Sequence, residues 1–219
     1  MQERKFSLKR AFTLIELLVV IAIITLLMGI LLPVMGKARL EARIVAVNAE
    51  LRDIGLALEA YSLDNNDEYP PTRVDCAVGD HFYQLPTELV ESKYLPKPSQ
   101  ESFMAAGIED RFNRGYTYKY RSVGTLINNR TTVEKEGSYL WIPDGFPYGK
   151  SEDGRNFYNL KESPVSWVLY SQGPEFDLNT MKEQKYPVPK KTWYDSGKGS
   201  GVIVRMRLKN GTQIGSFQE

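Results

Sequence analysis

Near its N-terminus the chain carries an apolar run that must be buried, either in a membrane or among other apolar helices. Residues 17–36 contain no charge, and a helix of that length covers about 30 Å, the thickness of the hydrocarbon core of a bilayer. Glu16 stands directly before the run. An unpaired carboxylate is costly there, about 2.5–3.5 kcal/mol at the centre of a membrane helix and less near its end. Its presence predicts that the chain uses it.

The charges before the run predict its orientation. Residues 1–11 carry four cations and one anion, and because positive flanks stay in the cytoplasm, we expect the C-terminal bulk across the membrane. Two simpler interpretations compete. A secretory signal peptide would have an apolar core of about 7–15 residues and a small-x-small cleavage site, whereas this run is longer and ends in PVMGKA at 33–38. A plain membrane anchor fits the length but gives no reason for Glu16.

Residues 12–24, FTLIELLVVIAII, resemble the N-terminal segment of type IV prepilins and type II secretion pseudopilins. The resemblance implies that a prepilin peptidase cuts between Ala11 and Phe12 and methylates the new amino group of Phe12. It also implies that Glu16 meets the amino terminus of a neighbouring subunit during assembly, and that Pro33 kinks the helix. One position departs from the family pattern, since the family normally has Gly before the cut and this chain has Ala11.

The helical pattern continues beyond the apolar run, and we expect one helix from Thr13 to about Leu63. An apolar stripe with spacings of three and four residues marks one face of its second half: Ile44, Val47, Leu51, Ile54, Leu58 and Tyr61. The segments DNND at 64–67 and YPP at 69–71 end the helix. A coiled-coil seam would show a similar stripe, but this one covers fewer than three heptads. We therefore expect it to dock on a β-sheet of the same chain, as the resemblance also implies.

The remaining residues, 66–219, are enough for one globular domain with its own core. Aromatic and β-branched residues predict four strands in this domain, and a short helix is expected at Leu85–Tyr94. The predicted strands are Tyr116–Val123, Ser138–Ile142, Trp167–Ser171 and Gly201–Leu208. The predicted fold class is thus α+β. The resemblance implies a pilin-like arrangement, with a long N-terminal helix packed on a small antiparallel sheet.

Two segments, one at the end of the helix and one in this domain, resemble the major type II secretion pseudopilin, of the general secretion protein G type. They are YSLDN at 61–65 with YP at 69–70, and YSQGPEFD at 170–177. In that family the later loop binds calcium, and here it offers Glu175, Asp177 and Asn179, whose oxygens suit a hard cation. Calcium is therefore the candidate cofactor. The competing interpretation is a solvated acidic loop, because three ligands fall short of the six to eight that calcium takes.

The chain carries little that suggests catalysis. His81 and Cys76 are the single histidine and the single cysteine; they make too few ligands for zinc and accompany no nucleophile motif. The glycine-rich stretch 197–201 lacks the order of a phosphate loop and predicts a turn. One cysteine excludes an internal disulfide, whereas many filament-building pilins have one. The formal net charge is +1, which gives no reason to expect nucleic-acid binding.

The chain resembles a pseudopilin, and we expect it not to be an enzyme. It is expected to have three parts: leader 1–11, helix 12–65 (membrane span about 14–36, stem 37–65) and extracytoplasmic domain 66–219. We expect a single-pass protein of the bacterial inner membrane with its N-terminus in the cytoplasm. Through residues 12–36 it would polymerise with other pseudopilins into a periplasmic fibre for type II secretion. An inner-membrane secretion platform is the further expected partner. The alternatives are a type IV pilin for adhesion, motility or DNA uptake in a cell-surface filament, and a membrane-anchored enzyme or binding domain.

Overall fold

The computed structural model of the chain describes residues 12–73, 84–99, 104–122, 126–128, 132–134, 140–143, 155–158, 163–174 and 192–218. In chain order its elements are helix α1 (Leu14–Asp64), strand β1 (Thr72–Arg73), helix α2 (Thr87–Glu91), strands β2 (Lys119–Ser122), β3 (Leu126–Asn128), β4 (Thr132–Glu134), β5 (Leu140–Pro143), β6 (Arg155–Tyr158), β7 (Val165–Ser171), β8 (Ile203–Leu208) and β9 (Gln213–Gly215), and a 3-10 helix (Ser216–Gln218). By contacts the chain divides into two compact units, Met1–Arg43 and Ile44–Glu219.

The first helix runs without interruption from Leu14 to Asp64, as the sequence predicts to within one residue at each end. Asn66 and Asp67 adopt positive φ angles of 55° and 61°, which Asn and Asp tolerate better than most residues. The Asp67 N–H donates to Ser62 O at 2.9 Å and closes the last turn. The polar segment after Leu63 therefore ends the helix by local hydrogen bonding.

The main sheet of the larger unit is antiparallel and has the strand order β2-β7-β8-β9. Two smaller sheets accompany it: β1-β3-β4, in which β1 and β3 run parallel, and the hairpin β5-β6. Four of these strands, β2, β5, β7 and β8, overlap the predicted ones. Strands β7 and β8 are the best predicted, because their aromatic and β-branched residues are nearly all buried.

The second half of α1 packs on this sheet, and the predicted apolar stripe is the packing face. Val47, Leu51, Ile54 and Leu58 have no exposed surface in the single chain, so no second helix is needed to bury them. At Gly55 a Cβ atom would lie 3.0 Å from Trp167 Cη2 of β7. Trp167 pairs with Arg207 of β8, so both side chains lie on the sheet face that meets the helix. The predicted α+β class, a long N-terminal helix with a small antiparallel sheet, is confirmed.

Candidate functional site

The first turn of α1 is closed by two reciprocal side chains, Thr13 and Glu16. Thr13 lies just before the helix and donates to Glu16 Oε2 from its hydroxyl at 2.6 Å and from its backbone N–H at 2.8 Å. In return, the Glu16 backbone N–H donates to the Thr13 hydroxyl at 3.3 Å. This pair is a capping box, which satisfies two backbone N–H groups that the start of a helix would otherwise leave open.

The capping box occupies only one oxygen of the carboxylate. Both bonds from Thr13 end on Oε2, and Oε1 accepts no hydrogen bond from any residue that the structure describes. A carboxylate accepts bonds at both oxygens. Glu16 can therefore cap its own helix and still accept a bond from an ammonium group of another chain.

The sequence interpretation missed Thr13. The signal was present, since Thr followed three residues later by Glu before an apolar run is the sequence pattern of a capping box. Phe12, the predicted mature N-terminus, is next to this pair and is 78% exposed. Ala11 lies outside the described residues.

The apolar surface of α1 follows directly on the capping box. One window of this helix has a mean hydropathy of 3.0 and none of it is buried, so length and composition suffice for one membrane crossing. From Leu14 to Met35 every large apolar side chain is at least 40% exposed. After Glu16 the one polar side chain as far as Met35 is Thr25, which donates to Ile21 O at 2.7 Å and so is satisfied within the helix.

Pro33 lies inside α1, which stays helical on both sides of it. A proline lacks the N–H that the helix would use and displaces the preceding turn. The kink at Pro33 stays a prediction.

At the larger unit, Glu59 of α1 joins the helix to the sheet. Glu59 Oε1 accepts bonds from Trp167 Nε1 and from Arg207 Nε, both at 2.8 Å. The Tyr69 hydroxyl donates to Glu59 Oε2 at 3.1 Å. Burial, and then the Glu59 charge, raise the pKa of Tyr69 to about 12, so Tyr69 stays a neutral donor.

A second carboxylate, Glu50, makes a similar set of contacts. Its Oε1 accepts a bond from Arg111 Nε at 2.8 Å, and its Oε2 accepts one from the Tyr118 hydroxyl. Burial raises the pKa of Tyr118, and the bond to Glu50 raises it further. Neither carboxylate was singled out from the sequence.

Asp110 is fully buried and fastens the end of β7 to the loop before β2. Its carboxylate accepts bonds from the Ser171 hydroxyl at 2.5 Å, the Gln172 N–H at 3.1 Å and the Phe112 N–H at 3.0 Å. Burial raises the pKa of this carboxyl group, although the hydrogen bonds oppose that shift. Just beyond, Gly173 has a φ of 71° and its Cα faces Gly201 O so closely that no side chain fits.

The predicted calcium ligands Glu175, Asp177 and Asn179 follow this anchor and lie outside the described residues, as do Cys76 and His81. Within the described ranges, no three His, Cys, Asp or Glu side chains gather closely enough to hold a metal ion. The calcium site stays a prediction.

The N-terminal segment of the chain is similar to a known family of protein segments. The Prokaryotic N-terminal methylation motif family matches residues 7–32. The chain is also 47% identical over 57 residues to the type IV wide pilus major component PilA4 of Thermus thermophilus. That match covers 26% of this chain and 44% of the pilus protein, so the chain spans less than half the length of its relative. No solved structure matches the chain.

The motif, the pilin identity and the fold together support a type IV prepilin-like protein. The apolar helix near the N-terminus is long and apolar enough to fit the membrane anchoring of a pilin-like protein. Pilin-like structural subunits are typically not enzymes. The motif match concerns the N-terminal part of the chain.

Proposed function

We propose that this chain is a filament subunit which is cleaved between Ala11 and Phe12, methylated on Phe12 and assembled through residues 12–36. The observation that carries the proposal is the capping box with its open Glu16 Oε1, directly beside the predicted new amino terminus. A free α-amino group has a pKa of about 7.7–8.0 and is largely protonated at neutral pH. It can neutralise a carboxylate where both are withdrawn from water.

The fibre that we propose is the periplasmic fibre of a type II secretion system, in the bacterial inner membrane, with the larger unit on the periplasmic side. In support, the YSQGPEFD segment resembles secretion pseudopilins, and a single cysteine allows no disulfide within the chain. Other pseudopilins and an inner-membrane secretion platform would be its partners. The identity to a pilus component favours a second candidate, a type IV pilin in a cell-surface filament.

The first test is the mass of the mature N-terminus. We expect a chain that begins at Phe12 and carries one added methyl group. An intact Met1, or a cut after residue 36, would contradict the proposal. Electron microscopy of the cells then separates the two candidates, since surface filaments favour the pilus and their absence together with failed secretion in a deletion strain favours the secretion fibre.

The second test separates the charge of Glu16 from its capping role. Glu16→Leu removes both, whereas Glu16→Gln keeps a side-chain acceptor for Thr13 and loses only the charge. We expect both variants to be processed but to enter filaments at least about tenfold less than the unaltered chain, because a charge-assisted bond is lost. Thr25→Leu is the matched control, since it also replaces a polar residue in the same segment and should assemble normally. Full assembly of Glu16→Gln would refute the charge pairing and leave capping as the role of Glu16.

A further inference from the structure

The two arginines of β8 that face helix α1 have different surroundings. Arg205 and Arg207 are two residues apart on one strand and therefore lie on the same face of the sheet. Arg207 has a carboxylate partner, Glu59, at 2.8 Å. Arg205 lies instead beneath Gly55, where an added Cβ atom would be 4.0 Å from Arg205 Cδ. Among the residues that the structure describes, no carboxylate forms an ion pair with Arg205.

The Arg205 guanidinium is buried, yet one of its edges has no acceptor. The residue is 8% exposed. Its Nη1 donates to Gln213 Oε1 at 2.7 Å, and its Cζ lies 4.0 Å from the ring centre of Phe217. Nε is covered, and neither Nε nor Nη2 donates to any residue in the described part of the chain. These two nitrogens form the edge through which a guanidinium binds an oxyanion by two parallel bonds.

The charged groups beside Arg205 favour an anion at this edge. Burial lowers the pKa of Arg205, and the nearby charge of Arg52 on α1 lowers it further. Asp53 acts in the opposite direction, but its carboxylate is 3.4 Å from Arg52 Nη2 and its side chain is 65% exposed. These two cations and one anion leave a net charge of 2 − 1 = +1. Because a buried charge without a matched partner is costly, an oxyanion bound here would stabilise the fold.

We propose that Arg205 and Arg52 form a binding site for a small oxyanion, a phosphate or a carboxylate, between helix α1 and strands β8 and β9. The ion accepts two parallel bonds from Nε and Nη2 of Arg205, and Arg52 meets its outer side. Nε is covered in this structure, so we expect entry of the ion to shift the neighbouring side chains. Arg52 is free to move, since its side chain is 63% exposed. The site lies in the larger unit and does not depend on the proposed assembly.

The test is urea unfolding of the full chain in detergent, with inorganic phosphate or acetate as the probe and sodium chloride at equal ionic strength as the reference. Urea is the denaturant because guanidinium would compete with the arginines. We expect half-saturation at about 1 mM phosphate, the order of affinity that two charge-assisted bonds give. Phosphate at about 10 mM should then lower the equilibrium constant of unfolding about tenfold relative to chloride. Acetate should act in the same direction, whereas a response to phosphate alone would support the site and identify phosphate as its ligand chemistry.

Three variants separate a bound ion from a general effect of salt. Replacing an unpaired buried charge by a packed apolar side chain is often neutral or stabilising, so Arg205→Met should unfold no more readily than the unaltered chain in chloride. It should also lose the tenfold response to phosphate. Asp53→Asn should strengthen the response, because it removes a carboxylate that repels the ion. Lys198→Met is the matched control and should keep the response, since Lys198 is a cation of the same unit whose side chain is 72% exposed.

Two outcomes of the unfolding assay would overturn the site: equal shifts in phosphate and chloride, or an equal phosphate response of Arg205→Met and the unaltered chain. In the second case phosphate would act only through its general exclusion from protein surfaces. Calorimetric titration of the folded, unaltered chain with phosphate is an independent measurement that needs no variant of Arg205. We expect saturable binding that Arg52→Gln weakens, and no binding up to about 10 mM phosphate would overturn the site as well.

Discussion

Removing the Glu59 side chain should be among the most damaging single changes to the larger unit. Glu59 accepts bonds from Trp167, Arg207 and Tyr69, which come from three different parts of that unit. Glu59→Ala leaves the indole N–H and the guanidinium without their acceptor against the helix. The helix would then lose its polar attachment to β7 and β8 while its apolar stripe stayed in place.

The size of the effect follows from those three bonds. A hydrogen bond to a charged group contributes about 1.5–3 kcal/mol where it is buried. Glu59 and Arg207 are each 26% exposed, so water replaces part of what is lost, and the three bonds share one acceptor and do not add. We therefore expect Glu59→Ala to lower the free energy of unfolding by about 3 kcal/mol, and Glu59→Gln, which keeps an acceptor oxygen, by about 1 kcal/mol.

The assay is denaturant unfolding of the full chain in detergent, followed by tryptophan fluorescence, since Trp167 loses its packing when the helix leaves the sheet. Asp53→Ala is the matched control, because Asp53 is a carboxylate on the same helix whose ion pair with Arg52 is about two-thirds exposed on both sides. Such a pair contributes less than about 1 kcal/mol. Equal losses for Glu59→Ala and Asp53→Ala would refute the attachment role of Glu59.

Two further changes test the packing of the same unit. Gly55→Ala should lower the free energy of unfolding by about 1 kcal/mol, because crowding against Trp167 outweighs the gain in helix propensity. In a Trp167→Phe background the same change should instead raise the free energy of unfolding. A lower free energy of unfolding in both backgrounds would contradict this reasoning. For Asp110 the folded-state pKa is raised, so between the unfolded and folded pKa values the folded chain binds more protons and gains stability as pH falls. Asp110→Asn should remove that component, and unfolding curves with an unchanged pH slope would disprove it.

The sequence predicts the helix and its packing face well, because both can be recognised from the spacing of apolar residues along the chain alone. An uncharged run and a stripe at spacings of three and four residues identify α1 without any knowledge of its partners. Strands β7 and β8 are similarly visible, since they are long and apolar. Strand β9 is not, because Gln213–Gly215 has three residues and one apolar side chain, too few to show an alternating pattern.

The polar contacts show the limit of sequence reasoning most clearly. Glu50 and Glu59 resemble any other carboxylate on the polar side of an amphipathic helix, and their partners Arg111 and Arg207 are far away in the chain. Only the register of β7 and β8, which sets Trp167 beside Arg207, makes Glu59 an attachment point. Thr13 differs, because its partner is three residues away and the pattern could be read directly.

Comparison of Glu16 with two other carboxylates of α1, Glu50 and Glu59, sharpens the case for Glu16. In Glu50 and Glu59 both oxygens accept bonds from side chains of the same chain. Glu16 uses one oxygen for Thr13 and leaves Oε1 open among the described residues, in a segment whose apolar surroundings make an unmet charge costly. A role in capping alone would be met by Gln at this position, since Gln also completes a capping box. The charge also suits the positive end of the helix dipole in the first turn of α1, and under the proposed assembly the amino terminus of a second copy would be the partner of the open oxygen.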